Sequence, residues 1–137
     1  MGIAIDSSVL ISAERQRMPV SLLLRSLQST YDETQFMISA VTVMELEHGC
    51  HRAHPGEAAL RRRRYVDEVF EAIPIEPFTR GMGVLAGEID AELRKAGFVI
   101  ASADLMIGAT ALFHRYAIGT QNLRHFRMIP RLKVLAL

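Results

Sequence analysis

The sequence predicts an α/β fold: a three-layer α/β/α sandwich built on a doubly wound, mostly parallel sheet of five strands. Three observations point there. Short apolar stretches rich in Ile, Val and Ala recur along the chain, separated by segments with helical periodicity. Acid and hydroxyl residues stand where such stretches end, in position to start the next helix. Half of the 137 residues are hydrophobic, enough to cover a parallel sheet that must be buried on both faces.

Taken in order, Met1 to Ile5 read as a buried strand, with Ile3 to Ile5 leading into Asp6. Ser7 or Ser8 can N-cap a helix that carries Val9, Leu10 and Ala13. A second helix is expected around Val20 to Leu27, followed by a strand at Phe36 to Ile38. Ser39 caps a helix from Ala40 towards His51, which puts Glu45 in its second turn. Gly56 to Phe70 are helical and charged along one side, and Ala72 to Ile75 form a third strand that Pro74 assigns to a sheet edge. Met82, Leu85, Ala86, Ile89 and Leu93 recur at helical spacing, and Gly97 can supply the left-handed turn that ends this helix. Ser102 caps a helix from Ala103 to Tyr116 with Asp104 in its first turn, and Ala117 to Thr120 and Lys133 to Leu137 complete the sheet. No repeat, low-complexity tract or linker interrupts the chain, so residues 1–137 are expected to form a single domain.

Composition excludes several classes. A formal net charge of +1 with 23% charged residues fits neither a disordered chain nor a strongly basic polyanion binder, so any nucleic-acid contact must be local. Apolar runs are broken well short of the roughly 20 residues a membrane helix needs, and no basic segment leads into an apolar signal core. The single cysteine, Cys50, has no partner for an internal disulfide and reads as a small core residue. A soluble, cytoplasmic protein is expected.

Asp6 stands where a hydrophobic core should continue, and an unpaired buried acid is costly. In parallel sheets ligands bind beyond the carboxyl ends of the strands. Asp6 follows the first strand, Glu45 lies just beyond the second, and Asp104 opens the helix before the fourth, each flanked by apolar residues. Brought to one edge, three carboxylates repel, and a hard divalent cation such as Mg²⁺, or Mn²⁺ in its place, resolves the conflict. Such ions favour phosphate-ester substrates. Taken singly, Asp6 can serve as a helix cap, Asp104 as a complement to a helix dipole, and Glu45 as a solvent-facing side chain. Jointly these readings weaken.

Ser8 can cap its helix or hydrogen-bond Asp6 as a supporting group. Asp90 lies beside the apolar stripe of its helix, within possible reach of the acids, although a surface carboxylate explains it more simply. Arg124 and His125 stand next to the expected site and are candidates for contacting the phosphates of a nucleic-acid substrate. The run Arg61 to Arg64 spans more than a turn and cannot share one face; it reads as solvated surface, with phosphate contacts as the lesser reading. His48, His51 and His54 are rotated too far apart on a helix to share a metal.

The ordered set Asp6-Ser7-Ser8-Val9-Leu10, Ser39-x-x-Thr42-x-x-Glu45-Leu46-x-x-Gly49, Asp104-Leu105-Met106-Ile107-Gly108-Ala109-x-Ala111 and Thr120-x-Asn122-x-x-His125-Phe126 resembles a PIN-domain nuclease. Within that family it is most similar to VapC-type toxins of bacterial toxin–antitoxin pairs, and the likeness runs over essentially the whole chain. The resemblance implies a Mg²⁺-dependent ribonuclease that leaves a 5′-phosphate and a 3′-hydroxyl, forms a homodimer and is held inactive by a cognate antitoxin. It also implies that Asp6, Glu45 and Asp104 are the metal-binding and catalytic acids. Relatives often carry an acid at the position of Asn122 or His125; here Asn122 would take that catalytic place with its amide. A non-catalytic PIN-like module that binds RNA or protein is the alternative. A phospho-accepting receiver domain fits less well, because paired acids after the first strand are missing.

Overall fold

The computed structural model describes residues 2–137; Met1, placed in the first strand from the sequence, lies outside the described residues. Strand β1 (Gly2–Ile5) leads into α1 (Ser7–Arg15), α2 (Val20–Thr30), β2 (Gln35–Ser39), α3 (Ala40–Arg52) and α4 (Glu57–Ala72). Then come β3 (Ile75–Glu76), α5 (Arg80–Lys95), α6 (Ser102–Phe113), β4 (Ala117–Thr120), α7 (Leu123–Phe126) and β5 (Val134–Ala136). The strands lie in the order β3-β2-β1-β4-β5, and every pairing is parallel, so the sheet is wholly rather than mostly parallel.

Period-two alternation distributes the strand residues between two cores. Ile3, Ile5 and Ile38 join Val9, Leu10, Leu23, Leu27, Val66 and Val69 on the side covered by α1, α2 and α4. Ala4, Met37 and Ile118 face the other side, where α5, α6 and α7 bring Ile89, Leu93, Ile107 and Phe126. Helix α3 straddles the sheet's carboxyl edge, with Val41 in one core and Leu46 in the other.

Several local expectations shift by a residue or more. Asp6, not Ser7 or Ser8, occupies the N-cap position of α1, and Ala101 rather than Ser102 precedes α6, because all three serines already have helical backbone. Ser39 does cap α3, its hydroxyl accepting the Val41 N–H at 3.1 Å. The third strand begins after Pro74 rather than at Ala72: α4 continues through Ala72, and Pro74 contributes only its carbonyl, which accepts the Ile38 N–H at 2.9 Å. That short strand is indeed an edge. The helix expected to reach Tyr116 stops at Phe113, since Arg115 turns the chain with a positive φ of 59°. Gly97 takes its expected left-handed conformation after α5, with φ 86°. Cys50 is half-buried at the margin of the α1/α2/α4 core, and burial pushes its thiol pKa up.

Chain order reverses between β1 and β4: the chain winds outward from β1 through β2 to β3, then returns to the other side of β1. This is the switch point, where a crevice opens at the strands' carboxyl ends.

Candidate active site at the switch point

Asp6 leaves β1 at that crevice. Its backbone N–H donates to Gly119 O at 2.9 Å, extending the β1/β4 ladder, and its own carbonyl accepts the Val9 N–H, opening α1. The side chain does not cap α1. Its Oδ2 instead accepts hydrogen bonds from Ser8 Oγ at 2.7 Å and Thr120 Oγ1 at 2.8 Å. Only 3% of Asp6 is exposed, and these two hydroxyl donors offset the cost of burying a carboxylate. Both bonds use one oxygen, which leaves Oδ1 free of them. The Thr120 hydroxyl also accepts the Asn122 N–H at 2.8 Å, and Ser8 Oγ accepts the Gln121 N–H at 3.0 Å. The loop after β4 is thereby stitched to the first turn of α1.

Asp104 enters from the first turn of α6, where a carboxylate also complements the helix dipole. Its Oδ2 accepts Asn122 Nδ2 at 3.1 Å and lies 2.7 Å from His125 Nδ1. Asn122 precedes α7 and His125 lies within it, so this short helix carries both groups to Asp104. Glu45 comes from the second turn of α3, and its Oε1 accepts the Ser7 hydroxyl at 3.1 Å. Burial raises the Glu45 carboxyl pKa above its ordinary value; the Ser7 bond lowers it in part, and the charges of Asp6 and Asp104 raise it further. Asp6 and Asp104 thus both lie near enough to act on Glu45, a neighbourhood that a cation would relieve.

Among the described residues, no three acidic, histidine or cysteine side chains are placed so that they could together hold a metal ion. The donor chemistry nevertheless suits a hard ion. Three carboxylates flank the switch point, and the hydrogen bonds on both aspartates are confined to Oδ2. Oxygen donors of this kind fit Mg²⁺ or Mn²⁺ better than Zn²⁺.

Among the other candidates, Ser8 sits on Asp6. Asp90 accepts Arg94 Nε at 2.9 Å on its own helix and makes no hydrogen bond to the three acids. Arg124 is exposed on α7, and His125 is spent on Asp104. His51 pairs with Glu47 at 3.0 Å. The basic run splays as its length requires: Arg62 approaches Glu14 at 3.7 Å, while Arg63 grips Glu47 at 2.6 Å and Asp67 at 2.7 Å. Two contributors escaped the sequence reading. Ser7 was considered only as a cap, and Thr120 only as the end of a strand and part of a motif. A hydroxyl at the carboxyl end of a strand beside the acid-bearing one is the signal that could have found Thr120.

Comparison with known proteins agrees with this fold. The PIN domain family model matches residues 3–131. A protein named Ribonuclease VapC from Rickettsia bellii is 29% identical over 135 residues, covering 98% of this chain and 96% of its own. The tRNA(fMet)-specific endonuclease VapC of Salmonella typhimurium is 27% identical over 101 residues, 74% of each chain. Among solved structures, VapBC2 from Rickettsia felis bound to a promoter DNA fragment superposes with a TM-score of 0.84 at 21% identity, covering 98% of both chains. DNA-bound VapBC from Salmonella typhimurium gives 0.82 at 24% identity, covering 98% of this chain and 97% of that one. A parallel five-stranded sheet with acids at its switch point, matched by the family model over nearly its whole length, makes this chain a member of the PIN-domain family.

Proposed function

We propose that this chain is a divalent-metal-dependent endoribonuclease and the toxin of a toxin–antitoxin pair, working as a single cytoplasmic domain that dimerises and is restrained by a cognate antitoxin. One observation carries the reading: Asp6 and Asp104, far from Glu45 in sequence, lie near enough for their charges to raise its proton affinity. The names of the VapC relatives, and the VapBC complexes this fold matches, support the ribonuclease and antitoxin parts of the reading. No described helix is long and apolar enough to cross a membrane.

Asp6 and Asp104 would hold the ion, and Glu45 would complete its surroundings or hold a second ion. A bound Mg²⁺ supplies charge neutralisation at the phosphoryl oxygens and a nucleophilic water at ordinary pH. Ser8 and Thr120 fix the Asp6 carboxylate from the Oδ2 side, and His125 does the same for Asp104, so both ligands are oriented before an ion arrives. Glu45, whose carboxyl binds a proton more readily than usual, orients the attacking water and accepts its proton at Oε2, the oxygen not occupied by Ser7. Asn122, with its N–H on Thr120 and its amide on Asp104, steadies the scissile phosphate side of the crevice.

The test is RNA cleavage by purified protein. With Mg²⁺ or Mn²⁺ the wild type should cut, chelation should stop it, and Asp6→Asn or Asp104→Asn should lower the rate by at least about a hundredfold, since even supporting residues reach that order. Melting with and without Mg²⁺ gives a second readout: an ion-linked rise that vanishes in Asp6→Asn. The lack of three side chains so placed among the described residues favours one competing reading, a non-catalytic module that binds RNA or protein. Equal RNA loss with wild type and Asp6→Asn would leave that module standing.

A further inference from the structure

Two helices leave the acidic crevice side by side. On α1, Ser7, Ile11 and Arg15 fall at steps of four and share one face; on α3, Glu45, His48 and Arg52 fall at steps of three and four and share another. Together they line a cleft of about 450 Å³, closed on its third side by Arg62 of α4. Gly49 forms part of its wall without a side chain: a Cβ there would stand 3.9 Å from Arg62 Nη1. A second cleft of about 420 Å³ shares Arg15, Ala53 and Arg62 with the first and continues the groove past Arg17 and Arg61. Glu45 stands at the crevice end, and guanidiniums gather towards the helix ends, where Glu14 also lines the second cleft beside Arg62.

These guanidiniums are unusually free. Arg62 has Glu14 at 3.7 Å, but among the described residues no carboxylate pairs with Arg15, Arg52, Arg17 or Arg61. Cations crowded around one groove repel within a screening length of about 8 Å, so an anion entering the groove gains from all of them.

We infer that this groove seats the backbone of a single RNA strand on one side of the scissile bond, with Arg15 and Arg52 contacting its phosphates. The inference rests on the ribonuclease reading above and names the path of that substrate. A strand crossing the crevice needs cationic support on both flanks. Arg124 on α7 provides one shoulder, and the α1/α3 groove provides the other. Guanidinium forks match phosphate oxygens, and contacts of this kind bind a strand without reading its bases. An acidic peptide would also meet these cations, but the apolar pocket that opens beside Ile11 and Gly49, between Leu10, Leu46, Tyr65 and Val66, holds only about 30 Å³, too little to anchor a peptide side chain. Arg15 and Arg52 also lie in the last turns of α1 and α3, where a cation complements the helix dipole. That structural role affects melting but not the salt dependence of binding.

The test uses the full chain with Asp6→Asn, so that RNA is bound and not cut, and a short labelled single-stranded oligoribonucleotide read by fluorescence anisotropy at fixed Mg²⁺. Adding Arg15→Gln and Arg52→Gln should weaken binding and flatten the slope of log K against log salt by about 1.4, from roughly 0.7 per lost phosphate contact on a single strand. Arg94→Gln, which breaks only the pair with Asp90, should leave the slope unchanged. Arg15→Lys with Arg52→Lys should restore it, since charge and not hydrogen-bond geometry sets the slope. An unchanged slope in the Gln variant, while the parent binds and the wild type cuts RNA, would overturn the groove and leave the nuclease intact. A parent that binds no RNA and a wild type that cuts none would remove both. Displacement of the oligonucleotide by a polyglutamate peptide at equal charge concentration would assign the groove to protein and overturn the inference.

Discussion

Thr120→Val removes one hydroxyl from the centre of the site while keeping the shape of the side chain. Thr120 is fully buried, donates to the Asp6 carboxylate at 2.8 Å and accepts the Asn122 N–H at 2.8 Å. A hydrogen bond to a charged partner contributes about 1.5–3 kcal/mol, and an orphaned N–H costs about 1–3 kcal/mol, at the low end where water can reach it. Asn122 is half-exposed, so the expected total is about 2–4 kcal/mol. For a chain of this length that lowers the melting temperature by roughly 6–15 °C. The assay is thermal unfolding in the presence of chelator, followed by circular dichroism. A double-mutant cycle with Asp6→Asn sharpens it: against a neutral amide the hydroxyl contributes only about 1 kcal/mol, so the two substitutions must couple by more than about 0.5 kcal/mol. A melting temperature within about 1 °C of wild type, or strict additivity in the cycle, would refute the claim that Thr120 holds Asp6 in place.

Four further substitutions have expected outcomes. Ser8→Ala, which frees one side of Asp6 and releases the Gln121 N–H, should lower RNA cleavage by about 10–100-fold, with the loss appearing as weaker metal dependence in a Mg²⁺ titration. Burial pushes the Tyr65 phenol up to about 12, so the folded state loses stability as pH rises from the ordinary phenol range through about 12; Tyr65→Phe should delete the latest-titrating component of the tyrosinate absorbance. Because the Tyr65 hydroxyl is buried without a partner, the same variant should melt at or slightly above the wild-type temperature. The Arg63 guanidinium holds the Glu47 carboxyl below its ordinary value, so Glu47 stabilises above the usual glutamate range and loses this as pH falls through its lowered value; the melting deficit of Glu47→Gln should shrink on acidification. Gly2→Ala would drive a methyl into the Tyr116 ring, which lies against Gly2 and whose hydroxyl donates to Gln35 at 2.8 Å; an overpacking loss of about 1–3 kcal/mol should show in chemical denaturation.

What the sequence made readable depended on the range over which each feature is encoded. Strands at Ile3 to Ile5 and Ala117 to Thr120, and the stripe Met82, Leu85, Ala86, Ile89 and Leu93, are local patterns, and the structure places them as expected. Helix α7 is too short to display a period, so it was invisible, although it carries the His125 side chain to Asp104. The start of the third strand was misplaced because Ala72 and Ile73 are apolar whether they end a helix or begin a strand. Acids at strand ends were legible as candidates because an acid in an apolar context is locally anomalous. Their supporting hydroxyls were not, because serine and threonine look the same in sequence whether they cap a helix, face solvent or grip a carboxylate. The bond from Thr120 to Asp6 spans 114 positions, and nothing near either residue announces the other.

The switch between β1 and β4 has a consequence for the order in which the molecule can be made. While the ribosome is still extending the chain, β1 can pair with β2, but its second edge stays open until β4 has emerged. Asp104 and the residues that clasp it are translated some hundred residues after Asp6, along with the threonine that steadies it. A nascent polypeptide tethered near the translation machinery would therefore hold an incomplete centre until the segment that carries α6, β4 and α7 has emerged.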